Sequence, residues 1–400
     1  MVYLAGDNNL DANGITDIAE MKKVGSSADL NIIAQFDREG TGKPTNRYCL
    51  RKGTTLTDDE VESMGETNTG QPGFLLDFIK WGVSRYPADH YMLILWNHGQ
   101  GWDDTDIFAG ERVRGGRLLR SGRIKHAFFK STVLKAAKMS ADSHKTARAI
   151  LIDDDAKDFL DSLELKKVMA EAKTFLGRKI DVLGMDACLM SMAEVCYQIR
   201  GSVRFTVASE ETEPLDGWPY DLILEQMTAD PDSTPRNLCK IIVKKYIESY
   251  KYTREPVTQA ACDLTASTQL VVVVKNLSDA LIAGLADTRI QNIIRIARNR
   301  VQEYQVTDNV DLIHLCQMLK KSGAPKAISN ACDGVTGVVK NSPRLVVSSG
   351  YSGPSMKYSN GIAIYFPVRE LSPLYVRLDF PKKTGWGKFL KEYLAVSGIQ

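Results

Sequence analysis

Through the first half of the chain, short apolar runs alternate with stretches in which hydrophobic residues recur every three or four positions. Strands buried on both faces read as unbroken apolar runs, so this rhythm predicts an α/β fold: a mostly parallel sheet with crossover helices on both sides. The spacing predicts strands over 2–5, 30–36, 91–96, 149–152, 180–185 and 205–208, and helices over 11–24, 74–86, 163–176 and 189–199. Past about residue 265 the rhythm changes. Residues 277–305 read as helical, and 344–349 and 361–366 read as strands around a Gly/Ser/Pro-rich turn, which predicts a smaller α+β extension over 266–400 behind a main domain over 1–265.

One segment breaks the pattern. Residues 111–148 hold eleven basic side chains and two acidic ones, as expected of an exposed insertion, whether a solvated surface or a protease-sensitive or partner-binding loop. Elsewhere charge is balanced, with 51 Lys and Arg against 49 Asp and Glu, so no global field exists for nucleic acid. The apolar runs at 91–96 and 270–274 fall far short of the ~20 residues that cross a bilayer. Seven widely spaced cysteines, never in a C-x-x-C pair, indicate neither a disulfide framework nor a thiolate metal site. The chain opens at Met1-Val2-Tyr3-Leu4-Ala5-Gly6, which reads as the end of a buried strand and not as a signal peptide, so a trimmed start is expected.

In a parallel sheet, ligands bind beyond the carboxyl ends of the strands. Two strands deliver reactive side chains there: 91–96 runs into Asn97-His98-Gly99-Gln100-Gly101-Trp102, and 180–185 runs into Asp186-Ala187-Cys188-Leu189-Met190. A cysteine at the start of a helix, near an imidazolium, would have its thiolate stabilised and could act as a nucleophile. Gly99 has no side chain, so its N–H and that of Cys188 could form an oxyanion hole. His90, His126, His144 and His314 are expected to be structural, and Cys196 to be core.

These segments, together with Ala208-Ser209-Glu210-Glu211-Thr212-Glu213-Pro214, the opening Val2-Tyr3-Leu4-Ala5-Gly6-Asp7-Asn8-Asn9-Leu10 and the late Ser359-Asn360-Gly361-Ile362-Ala363-Ile364-Tyr365-Phe366-Pro367, resemble the clostripain family of cysteine peptidases. The resemblance implies a caspase-like three-layer αβα sandwich, a His98/Cys188 dyad and cleavage after Arg or Lys. It also implies bacterial origin and a secreted, periplasmic or cell-surface location. Asp186 stands two residues before Cys188, on the same strand face, and Asp216 in Pro214-Leu215-Asp216-Gly217-Trp218 matches a second acidic position of the pocket for the basic P1 side chain. Family members are cut between the histidine and the cysteine into two associated chains. Here that interval contains the basic insertion, with Lys145 and Arg148 as the first candidates for self-cleavage, yielding a monomer of two chains.

No cofactor is required by this chemistry. Calcium is a further expectation, since some family members depend on it, and Asp153-Asp154-Asp155 with Asp158, or Asp103-Asp104 with Asp106, offers hard oxygen ligands. Expected partners are peptides and proteins with basic P1 residues. The alternatives are a catalytically silent scaffold of the same fold, and a transpeptidase or amidase using the same dyad.

Overall fold

The computed structural model describes residues 1–40, 42–102, 150–154, 156, 158–341 and 344–396. The basic segment 111–148, with Lys145 and Arg148, lies outside the described residues, as do Asp103, Asp104, Asp106, Asp155, His126 and His144.

Thirteen strands are formed among the described residues: β1 (Val2–Gly6), β2 (Ile33–Arg38), β3 (Asn46–Cys49), β4 (Glu60–Ser63), β5 (Met92–Trp96), β6 (Ile150–Asp153), β7 (Asp158–Leu160), β8 (Ile180–Asp186), β9 (Val203–Ala208), β10 (Val257–Asp263), β11 (Asn309–Asp311), β12 (Val346–Ser352) and β13 (Ala363–Tyr365). Nine make one sheet in the order β12-β10-β9-β8-β5-β1-β2-β3-β4. The centre, from β9 to β2, is parallel, and antiparallel strands close both edges.

Alternation along the central strands sorts the core into two layers. Tyr3, Ala5, Leu93 and Leu95 face one hydrophobic core, where the helices Pro72–Arg85, Ser162–Leu176, Ala193–Ile199 and Ser267–Gly284 pack. Val2, Leu4, Ile94 and Trp96 face the other, beneath the helices Asp11–Val24, Tyr220–Ala229 and Pro235–Ser249. The result is the αβα sandwich that the pattern and the resemblance imply.

Four local expectations differ from the structure. The helix expected over 189–199 begins only at Ala193, because Leu189 takes a left-handed conformation (φ 64°) that interrupts the turn leaving β8. The strand expected over 149–152 forms, as β6, but pairs with β7 in a separate two-stranded sheet. The expected helix over 277–305 is two helices, Ser267–Gly284 and Thr288–Arg298, and the second is capped by Asp287. Of the late strands, β12 joins the main sheet beside β10, whereas β13 pairs with β11. Residues from 264 to 393 share one hydrophobic core with β1, β5 and β8. Among the described residues, no helix is long and apolar enough to cross a membrane.

Candidate active site

Register brings His98 and Cys188 together. In the parallel pair β5–β8, Trp96 lies opposite Asp186. His98 and Cys188, each two residues further on, therefore leave the sheet at the same level on strands about 4.8 Å apart. Both line one small cavity of about 30 Å³, together with Trp96, Asp186, Glu213 and Gly217. The backbone of Gly99 packs against that of Cys188: a Cβ at Gly99 would stand 2.4 Å from the Cys188 carbonyl oxygen and 3.1 Å from its nitrogen. Only glycine fits there.

The chain order reverses between β1 and β5, which opens a crevice at the end of β1. The loop after β1 folds into it. Asn8 and Asn97 both donate from Nδ2 to the Ile152 carbonyl, tying this loop and the end of β5 to β6. The neighbouring Asn9 holds the histidine, with Oδ1 at 2.9 Å from His98 Nε2. With Nε2–H donating to Asn9, Nδ1 is the basic nitrogen of the neutral ring. Asn9 stands in the opening motif already singled out, but no role was assigned to it there, because its partner lies 89 positions further on.

The electrostatics differ from the expectation of a thiolate stabilised by a helix end. That helix begins five residues after Cys188, and the Glu213 N–H, at 3.2 Å, is the group that donates to Sγ. Burial pushes the Cys188 thiol up to about 12, and the carboxylates of Glu213, Glu211 and Asp186 add to the rise. Burial also lowers His98 to about 4. The resting pair is therefore a neutral thiol beside a neutral imidazole.

Below the sulfur lies a pocket of acids. Asp186 is buried, and its Oδ2 accepts from the Tyr220 hydroxyl at 2.7 Å and the Trp218 N–H at 3.4 Å. The Glu213 side chain lies near enough to influence it, and each carboxyl acts on the other. Gln259 donates to Glu213 Oε1 at 3.1 Å. Asp17, on the helix Asp11–Val24, accepts from the Trp96 indole at 2.6 Å. Burial, then the charge of Asp186, pushes Asp17 up to about 9, and burial likewise raises Asp186 and Glu213. Gly217, at φ 54°, covers this group: a Cβ there would stand 3.2 Å from Asp186 Oδ2 and 3.7 Å from Asp17 Oδ2. Asp216 is exposed at the rim, where its charge reaches Asp17 and Glu20. Asp186 and Asp216 thus have two acidic companions, Asp17 and Glu213, that sequence reasoning did not assign. Glu213 stands inside a motif already singled out, whereas Asp17 looks like any polar position of a surface helix.

A second group of acids lies beyond β1 and β2. One carboxylate oxygen from each of the buried residues Asp7, Asp37 and Asp153 lies within 4.8 Å of the others. Asp153 thus groups with residues distant in sequence, not with Asp158, which accepts from Asn68 at 2.8 Å. His90 is exposed beside Asp181, and His314 is buried, with Nδ1 accepting from the Gln302 N–H at 2.7 Å. Cys196 is core, 3.6 Å from the Thr206 hydroxyl, and the seven cysteines are unbridged.

Comparison with known proteins agrees with this architecture. The solved structure of a secreted C11 cysteine protease from Bacteroides thetaiotaomicron, bound to an irreversible peptide inhibitor, superposes with a TM-score of 0.67 over 96% of this chain and 98% of that one, at 17% identity. An inactive zymogen C11 protease from Parabacteroides distasonis gives 0.66, covering 96% of each chain at 18% identity. Clostripain from Hathewaya histolytica is 29% identical over 256 residues, which cover 57% of this chain and 42% of clostripain. The family profile described as "Clostripain family" matches residues 2–115 and 136–393, so the chain belongs to the clostripain family of cysteine peptidases, with their caspase-like fold.

Proposed function

We propose that the protein is a cysteine endopeptidase that hydrolyses peptide bonds after Arg or Lys, with Cys188 as nucleophile and His98 as acid–base catalyst. The observation that carries this reading is the set of carboxyls below the sulfur. Asp17, Asp186 and Glu213 crowd together with raised proton affinities, so the group holds protons where it lacks countercharge. A guanidinium or ammonium would supply that charge, and each charge-assisted hydrogen bond contributes about 1.5–3 kcal/mol. An acidic P1 side chain would meet repulsion.

The neutral resting dyad defines the order of proton movements. His98 Nδ1 takes the thiol proton as Sγ attacks the scissile carbonyl, then gives it to the leaving amine. Water, deprotonated by the same nitrogen, hydrolyses the acyl-enzyme and regenerates the thiol. The Gly99 and Cys188 amides are proposed to hold the oxyanion. At about 30 Å³ the cavity has room for one or two waters and none for an arginine side chain, so a basic P1 residue would have to widen it. Opening requires the Glu213–Gly217 segment to move. Leu215 at its tip is 46% exposed, and the segment is held by Asn13 on the Leu215 carbonyl and Tyr250 on that of Gly217. Self-cleavage after a basic residue in 111–148, Lys145 or Arg148 first, is the proposed activating event.

The test is covalent labelling. A peptide bearing Arg or Lys at P1 and an electrophile at the scissile position should modify Cys188 alone among the seven cysteines, as located by peptide mass spectrometry, and the Asp-P1 analogue should not. Modification of another cysteine, or equal labelling by the Asp analogue, would remove the proposal.

A further inference from the structure

The peptide that follows Cys188 is gripped from both sides. Its carbonyl oxygen faces the backbone of Gly99, where a Cβ would stand 2.4 Å away, and its N–H, that of Leu189, donates to the Glu211 carbonyl at 3.1 Å. Leu189 is held at φ 64°, a conformation that a bulky side chain adopts only when its surroundings impose it. Two residues on, the Ser191 N–H donates to the Ser209 carbonyl at 2.8 Å, and from the same turn the Glu213 N–H reaches Sγ at 3.2 Å. The turn 209–213, which leaves β9, therefore sets the backbone on one side of the sulfur and supplies a donor to the sulfur itself.

One hydroxyl holds the main chain of this turn. β10 pairs with β9 only from Ala260 to Asp263 but with β12 from Val257 onward, so Thr258 stands on a stretch of β10 that overruns the end of β9. There its Oγ1 accepts from the Glu210 N–H at 2.9 Å and from the Glu211 N–H at 3.0 Å. A hydroxyl has two lone pairs and one hydrogen, so with both lone pairs engaged the Thr258 hydrogen goes to Ser209 Oγ, 2.9 Å away. Thr258, Ser209 and Glu210 are buried, and an amide that lost this acceptor would be left unpaired away from water. The side chains of the turn are held from elsewhere, Glu210 by the Tyr304 hydroxyl at 2.7 Å and Glu211 by the Gln305 N–H at 3.0 Å.

We propose that Thr258 is a positioning residue for the nucleophile: its hydroxyl sets the turn 209–213, and through it the Cys188–Leu189 peptide and the Glu213 N–H that faces the sulfur. The proposal rests on the peptidase reading above and adds to it a residue remote from the reacting atoms. An N–H that donates to sulfur favours thiolate over thiol, so the Glu213 N–H steadies the sulfur as its proton leaves for His98. Misplacing a reacting group by about 1 Å lowers a rate by about a hundredfold, so a loosened turn lowers turnover before it weakens binding. Asp17 and Asp186 stand on other elements, the helix Asp11–Val24 and β8, and keep their places beside the P1 side chain.

The experiment is steady-state kinetics of the intact chain on an Arg-P1 fluorogenic peptide, comparing wild type with Thr258→Val, which keeps the shape of the side chain, and Thr258→Ser, which keeps the hydroxyl. Thr258→Val should lower kcat by about tenfold or more with KM within about threefold of wild type, and Thr258→Ser should retain about half of the wild-type kcat or more. Hydrogen exchange read by mass spectrometry should be faster in Thr258→Val over 186–192 and 209–214, with β1 and β5 as in wild type. Should Thr258→Val not fold, Thr258→Ala takes its place under the same criteria. Unchanged kcat, a rise in KM alone, a serine variant as slow as the valine variant, or unaltered exchange in those two segments would overturn the inference while the peptidase reading stands. A wild-type chain that turns over no peptide would overturn that reading, and the inference with it.

Discussion

Two groups of acids flank the end of β1, and they differ in what surrounds them. Asp186 and Glu213 line a cavity beside Cys188, with Asp17 next to them beneath Gly217, under a segment whose tip, Leu215, is 46% exposed. Asp7, Asp37 and Asp153 are sealed among strands and threonine hydroxyls. Both raise proton affinity by burial, so both favour a positive guest. What covers each group differs: a surface segment borders the first, within reach of a side chain of another polypeptide, whereas strands and hydroxyls enclose the second.

The sharpest break of this comparison is Cys188→Ala, which should abolish peptide cleavage while leaving the unfolding temperature within a few degrees of wild type, because a thiol replaced by a methyl loses chemistry more than packing. The same variant should stay uncut on incubation, whereas the wild-type chain should be cleaved after a basic residue in 111–148. Intact mass reads both. Full activity from an uncut wild-type chain would separate the dyad from self-activation.

Asp186→Asn comes next. It should lower kcat/KM on Arg and Lys substrates by about tenfold or more and shrink the preference over Leu, as expected for one lost charge-assisted bond. An unchanged preference would move recognition to other residues. Asn9→Ala should lower kcat about tenfold with KM nearly constant, because the ring loses its tether and not its substrate contacts, and Asn9→Asp should restore part of the rate. Equal loss in both variants would leave Asn9 a packing role only.

A further effect concerns stability and leaves the chemistry untouched. Asp17 binds its proton in the folded chain up to about pH 9, far above the ordinary carboxylate range near 3.9, so the folded state holds more protons than the unfolded state between those values. Stability from this residue therefore falls as pH rises through that window, by at most about 1.4 kcal/mol per unit. Asp17→Asn keeps the acceptor for the Trp96 indole and removes the ionisation. Its Tm should gain on wild type steadily from pH 5 to pH 8. A difference flat in pH would show that Asp17 titrates normally.

Much of this was legible in the chain because β1 and β5 are unbroken apolar runs and β8 is apolar between Asp181 and Asp186. β5 and β8 could be read from their composition alone, and the polar residues that end them are the candidate dyad. What was illegible depends on register and on distance in sequence. The apolar spacing over 189–199 suggested one helix, but Leu189 turns left-handed where the chain leaves the sheet, so the expected helix-end stabilisation of Cys188 is absent. Asp17 reaches the pocket through Trp96, 79 residues away, and Asn9 reaches His98 across 89. Asp153 sits in an acidic run that drew attention, but its partners are Asp7, just after β1, and Asp37 in β2, and nothing local in the sequence linked the three.

The central claim is that the acids beside Cys188 select a basic side chain. Its most direct test is steady-state kinetics of the purified wild-type protein on four fluorogenic peptides that differ only at P1: Arg, Lys, Asp and Leu. The account predicts kcat/KM for Arg and Lys at least a hundredfold above Leu, corresponding to about 2.7 kcal/mol or more, with Asp at background. Turnover confined to Asp or Leu would contradict it.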